Sequence, residues 1–138
     1  MKLLIIGALP KNEQEKEIYN ILIGASKEKE IIGTPIDTLN FNGNDAERYK
    51  RAFDLIEKAN VIIAEASYPS TGQGMELNEA IRLNKKIIVI AKKDSKVSGL
   101  ILGCPSIKDI IYYDSLDDLK EKIKEILWIL ILEKKNYL

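Results

Sequence analysis

Histidine is absent from this sequence, and Cys104 is its only cysteine. Those two gaps remove an internal disulfide, zinc sites built from Cys and His, and triads that need an imidazole. Any chemistry has to run on carboxylates, hydroxyls and backbone groups, and neither a metal nor another cofactor is expected. An excess of one charge is missing too: 21 Lys and Arg stand against 21 Asp and Glu, with no basic stripe of interleaved aromatics. A nucleic acid polymer is therefore not an expected partner. No apolar run approaches the roughly 18 residues of a membrane span, and the opening MKLLIIG is too short for a signal peptide. No membrane partner is expected, and the expected location is cytoplasmic. The length of 138 residues suits one domain, 1–138, large enough to bury a core.

What is present is an alternation of apolar, β-branched runs with helical patterns. Lys2 to Ile6 reads as a buried strand ending at Gly7. Asn12 and Glu15 are spaced as a capping box for a helix carrying Ile18, Tyr19, Ile21 and Leu22. Strands are expected at Glu30 to Thr34, Val61 to Ala64, Lys86 to Ala91 and Ile107 to Tyr112. Further helices are expected from Asp45 to Ala59 and from Gly74 to Leu83, and a last one is capped by Ser115 with Asp118. The stretch after Thr34, up to Asn44, reads as a long irregular loop. Strands alternating with helices imply an α/β fold: a flavodoxin-like (Rossmann-like) five-stranded parallel sheet of order 2-1-3-4-5 with helices on both faces. The switch in such a sheet lies between strands one and three, so a ligand is expected at the loops following Gly7 and Ala64.

The second of those loops carries the chemistry. Ser67, Pro69, Ser70, Gly72 and Gly74 supply turn residues, and two glycines two apart let backbone N–H groups approach phosphate or sugar oxygens. Glu76 follows at the expected start of a helix, where the helix dipole favours an ionised carboxylate, a candidate nucleophile. By itself Glu76 reads more readily as a residue that only caps its own helix, and glycine-bearing turns occur in many α/β proteins. Further on, ILWILIL at 126–132 is apolar on every side. A helix covered by a sheet on one face leaves such residues bare, so a second copy of the chain is expected to cover them, giving a homo-oligomer, at least a dimer.

The segment A-N-V-I-I-A-E-A-S-Y-P-S-T-G-Q-G-M-E-L resembles the signature of the nucleoside 2-deoxyribosyltransferase superfamily, most closely the Rcl-like 2′-deoxynucleoside 5′-monophosphate N-glycosidases. Looser similarity takes in Gly7 and the V-S-G-L-I-L-G segment at 97–103. The resemblance implies a homodimer that cleaves or transfers the N-glycosidic bond of a nucleotide or nucleoside through a glutamate attacking the anomeric carbon. It implies Glu76 as that nucleophile and Ser70 as a contact of the 5′-phosphate. Ser98 corresponds to a serine that the neighbouring subunit adds to the phosphate, and Gly7, Gly72 and Gly74 complete the substrate site.

Four positions depart from the family pattern. Ala52 stands where the family has an aspartate that protonates or positions the base, and Leu4 where a tyrosine orients the nucleophile. Ala8 and Pro10 replace a phosphate-binding serine and arginine. Asp54, about 200° around the helix from Ala52, is not a substitute, and Lys11 is the one charge near the first loop. Two further readings stay open on these grounds: a non-catalytic nucleotide-binding or sensing dimer, and a phosphoribohydrolase acting on a nucleoside monophosphate. Base preference is expected to depend on the Asp37 to Asn44 stretch and on Met75.

Overall fold

The computed structural model describes residues 1–136. Its elements in chain order are β1 (Lys2–Gly7), α1 (Glu13–Ala25), β2 (Glu30–Gly33), α2 (Pro35–Leu39), α3 (Asp45–Lys58), β3 (Val61–Glu65), α4 (Thr71–Arg82), β4 (Lys86–Lys92), α5 (Gly99–Leu102), β5 (Ile110–Tyr113) and α6 (Leu116–Asn136). The five strands form one sheet of order β2-β1-β3-β4-β5, all pairs parallel, as the alternation implied.

Because side chains alternate across a strand, each central strand feeds two cores. Leu3, Ile5, Val61, Ile63, Ile88 and Ile90 pack under α1 and α6. Leu4, Ile6, Ile62, Ala64 and Val89 pack under α3 and α4, against Ile56, Leu77 and Ala80. Near-continuous Ile, Leu and Val runs suit strands buried on both faces. The chain changes faces between α1 and α3, which places the switch at the carboxyl ends of β1 and β3, where Gly7 is in register with Glu65.

Several boundaries differ from expectation, each for a local reason. The stretch after Thr34 is not irregular throughout: it contains α2. The Thr34 hydroxyl accepts from Asp37 N–H at 3.2 Å, and the Asp37 carboxylate accepts from Thr34 N–H at 3.0 Å. Pro35 holds the first helical position, so T-P-x-D is a complete capping box. β5 begins at Ile110, because Ile107 belongs to a turn whose N–H bonds Cys104 O. Helix α4 begins at Thr71, three residues before Gly74, and β3 extends to Glu65. The caps at Asn12 and Ser115 are present, with Glu15 and Asp118 reaching back to the N–H groups of Lys11 and Asp114.

On α6, Leu119, Ile123, Leu127 and Leu130 are buried, whereas Trp128 (59% exposed), Ile129 and Leu132 are bare in the single chain. Among the described residues no helix is long and apolar enough to cross a membrane.

Candidate active site

A cavity of about 360 Å³ opens at the carboxyl end of β1, walled by α2, α3 and the start of α4. Of the residues singled out in the sequence, it brings together Gly7, Ser70, Gly72 and Glu76. Ser98 and Gly74 lie elsewhere, lining a neighbouring cleft of about 1080 Å³ in which Ser70 also takes part. Ser70 thus stands on the wall between the two. Ser98, exposed at the start of α5, makes no capping hydrogen bond with its side chain.

Ser70 is the N-cap of α4, its hydroxyl accepting from Gln73 N–H at 3.1 Å. That corrects the reading of Gly72 and Gly74 as loop glycines. Both lie within the first helical turns, neither has positive φ, and the Gly74 N–H is already given to Ser70 O at 3.2 Å. Gly72 lies beside Glu76: a Cβ there would be in ordinary contact with Oε1, at 4.0 Å. The bare position leaves the carboxylate, one turn further along the same face, open to the cavity.

Glu76 is therefore in the second turn of α4, and the dipole, which acts over the first turn, does not hold its carboxyl down. Burial instead pushes its pKa from the ordinary 4.5 up to about 7, with no cation or donor countering the shift. Near neutrality the group divides between a weakly solvated, basic carboxylate and its acid.

Gly7 is required by a close approach. A Cβ would meet the Tyr19 hydroxyl at 2.3 Å and Glu65 O at 3.2 Å. Tyr19 donates to Ala8 O at 2.6 Å, which fixes the first loop, and burial first, then the charge of Glu65, raises its own pKa.

The departures sit as follows. Leu4 is buried in the α3/α4 core, and Pro10 is buried as well. Ala52 lines the cavity. Asp54 is ion-paired with Lys50 at 2.6 Å, with no part in the lining, and Lys11 is exposed and equally outside it.

Two groups escaped the sequence reading. One is the polar side of α3: Asp45 and Arg48 line the cavity beside Tyr49, Ala52 and Phe53, on the i, i+3, i+4, i+7, i+8 face that begins at the Asn44 cap. The helical spacing was sufficient to find them. The other is Glu65, 1% exposed. Its carboxylate accepts from Ser67 N–H at 2.6 Å and from the Tyr113 hydroxyl, while its carbonyl accepts from Gln73 Nε2 at 2.7 Å. These bonds lock the turn between β3 and α4, and with it Ser70. Burial first, then the charge of Glu65, raises the Tyr113 pKa. A partner 48 residues away leaves no local signal.

No family model matches the chain. It is 26% identical over 129 residues, 88% of this chain and 80% of the relative, to a Methanosarcina mazei protein named as a 2′-deoxynucleoside 5′-phosphate N-hydrolase. It is 22% identical over 135 residues, 91% of this chain and 95% of the relative, to the 5-hydroxymethyl-dUMP N-hydrolase of Tetraodon nigroviridis. Among solved structures, the CMP N-glycosidase BcmB of Clostridium botulinum superposes with a TM-score of 0.74 at 22% identity, covering 91% of this chain and 99% of that one. The structural likeness concerns the fold. The sequence similarity to N-hydrolases extends far beyond the twenty or so residues of the Glu76 segment.

Proposed function

We propose that the protein is an enzyme that cleaves, or transfers, the N-glycosidic bond of a nucleoside 5′-monophosphate or nucleoside, with Glu76 as the nucleophile. The observation that carries this reading is the placement of Glu76: a half-buried carboxylate of raised basicity, open to a cavity one turn beyond a serine-capped helix start. Similarity to N-hydrolases over most of the chain supports it.

In this reading the phosphate lies at the N-terminus of α4, where the first amides of a helix lack internal partners and the dipole favours an anion. The Ser70 hydroxyl, which accepts from Gln73, still has its proton to donate. The sugar then lies over Gly72, with C1′ against Glu76. Attack by the carboxylate forms a glycosyl ester and releases the base, and water or a second base resolves the ester. Two displacements each face a lower barrier than one, and the anion stabilises the oxocarbenium-like centre between them. The chain is further proposed to act as a homodimer, supported by bare Trp128, Ile129 and Leu132 on α6 and by Leu100, 89% exposed beside Ser98. Ser98 then serves a partner's phosphate.

A binding or sensing module is favoured by one observation, Ala52 where an acid would assist the leaving base. Incubation with a panel of nucleotides and nucleosides, with and without an acceptor base, separates the readings. Base release that disappears in Glu76→Ala is expected. Release that survives Glu76→Ala would sink the assigned nucleophile, and tight binding without turnover would favour the sensor.

A further inference from the structure

Arg48 is the one cation, among the described residues, that lines the cavity with Glu76. Its guanidinium, part-exposed, has two neighbours: an exposed carboxylate and an aromatic ring that Arg51 shares at 5.7 Å. Nη1 donates to Asp45 Oδ1 at 2.7 Å, and Cζ stands 5.8 Å from the centre of the Phe41 ring. The Phe41 ring tip packs close to Gly43, where a Cβ would come within 2.6 Å of it. A guanidinium carries five N–H donors in a fixed fork, so Asp45 leaves donors unused. Tyr49 and Phe53, stacked at 4.4 Å on the same face of α3, add flat apolar wall, and Ala52 between them keeps the space open. Glu76 reaches the same cavity from α4, which packs beside α3. Arg48 and Glu76 thus share one cavity, where a planar ligand between them would meet a cation along one edge and a carboxylate along another.

That arrangement answers what Ala52 leaves unanswered. When the Glu76 oxygen bonds C1′ and the C1′–N bond breaks, the electron pair goes to the base. In a base bearing a ring carbonyl, the charge spreads onto that oxygen. A donor can stabilise it there without transferring a proton, as arginine cannot lose one under these conditions. The water that later hydrolyses the ester gives its hydroxyl to C1′ and a proton to the base, so the reaction closes without a side-chain acid.

Resting on the N-glycosidase reading, we infer that Arg48 binds the departing base by a carbonyl oxygen, making the protein selective for oxo-bases (pyrimidines and guanine) over adenine.

The test is steady-state base release by wild type, Arg48→Met and Arg48→Lys from dUMP, 5-fluoro-dUMP, dAMP and deoxyuridine, with nucleotide binding followed by calorimetry. Wild type should cleave dUMP about tenfold or more faster than dAMP. Arg48→Met should lose about 10²-fold in kcat on dUMP, the scale of one transition-state donor, and distinctly less on 5-fluoro-dUMP, whose base leaves more easily. Arg48→Lys should recover part of the loss. Equal losses on both uracil substrates would overturn the inference, as would a loss confined to nucleotides and absent from deoxyuridine, which would place Arg48 on the phosphate. If wild type releases no base at all, the N-glycosidase reading fails separately. Binding then decides the recognition: a preference for dUMP over dAMP that vanishes in Arg48→Met upholds it, and no preference refutes it.

Discussion

Replacing Glu76 by glutamine should stabilise the protein at alkaline pH while removing its activity. The carboxyl titrates near pH 7 in the folded chain, against an ordinary value of 4.5 that the unfolded chain is expected to show. Between those values the native state retains a proton that the unfolded state has lost, so stability falls as pH rises through the window and levels off above about 7. At about 1.4 kcal/mol per pK unit the ceiling is about 3.4 kcal/mol, and water entering through the cavity reduces it to about 2–3 kcal/mol. Glutamine fills the same space and has no charge to desolvate. Calorimetric melting from pH 4.5 to 8.5 should therefore show the two proteins together at the acid end. At pH 8 the Glu76→Gln variant should lead by roughly 6–10 °C for a domain of this size. Groups whose pKa values are lowered, such as Asp118, titrate in both proteins and cancel in the difference. Parallel melting curves across the range would refute the reasoning from a desolvated carboxylate. On the kinetic side, a nucleophile must be ionised, so wild-type kcat/KM should rise with pH and level off above about 7. A rate that instead fell through that region would make the protonated form the active one, and Glu76 an acid.

Two further outcomes follow from packing. Gly7→Ala forces a methyl against the Tyr19 hydroxyl and should cost about 1–3 kcal/mol in urea unfolding. Adding Tyr19→Phe should recover part of that loss, and no recovery would identify the Glu65 carbonyl as the obstacle. Tyr113→Phe leaves one oxygen of the buried Glu65 carboxylate without its donor and should lower stability by about 2–3 kcal/mol, since an unpaired buried charge loses both water and partner. A change within a few tenths of a kcal/mol would show that Ser67 N–H alone satisfies the group.

Much of the fold was legible because its signals are local. Continuous Ile and Val runs, helical spacing and caps such as Asn12 and Ser115 each report on a few neighbouring residues, and alternation then restricts the topology. The T-P-x-D box of α2 was equally local and was overlooked in a stretch that reads as loop from its Asn and Gly content. At the candidate site, Glu76, Ser70, Gly72 and Gly7 line one cavity, whereas Gly72 and Gly74 lie in the helix and not in the turn that the sequence suggests. Ser70 already caps a helix in which both glycines lie, and neither has the positive φ that would call for backbone freedom.

The sequence by itself determined the architecture and the exclusion of imidazole and disulfide chemistry, because period, capping and composition are properties of neighbouring residues, and it singled out Glu76 through the resemblance of its segment to a known signature. Only the tertiary structure decided the environment of that glutamate. Its raised pKa comes from burial at the cavity wall, Arg48 joins the same cavity from α3, and the turn before α4 is tied by a Glu65–Tyr113 bond spanning 48 residues. Desolvation and long-range pairing depend on which distant side chains share a space, and that is settled when the sheet and its helices close together.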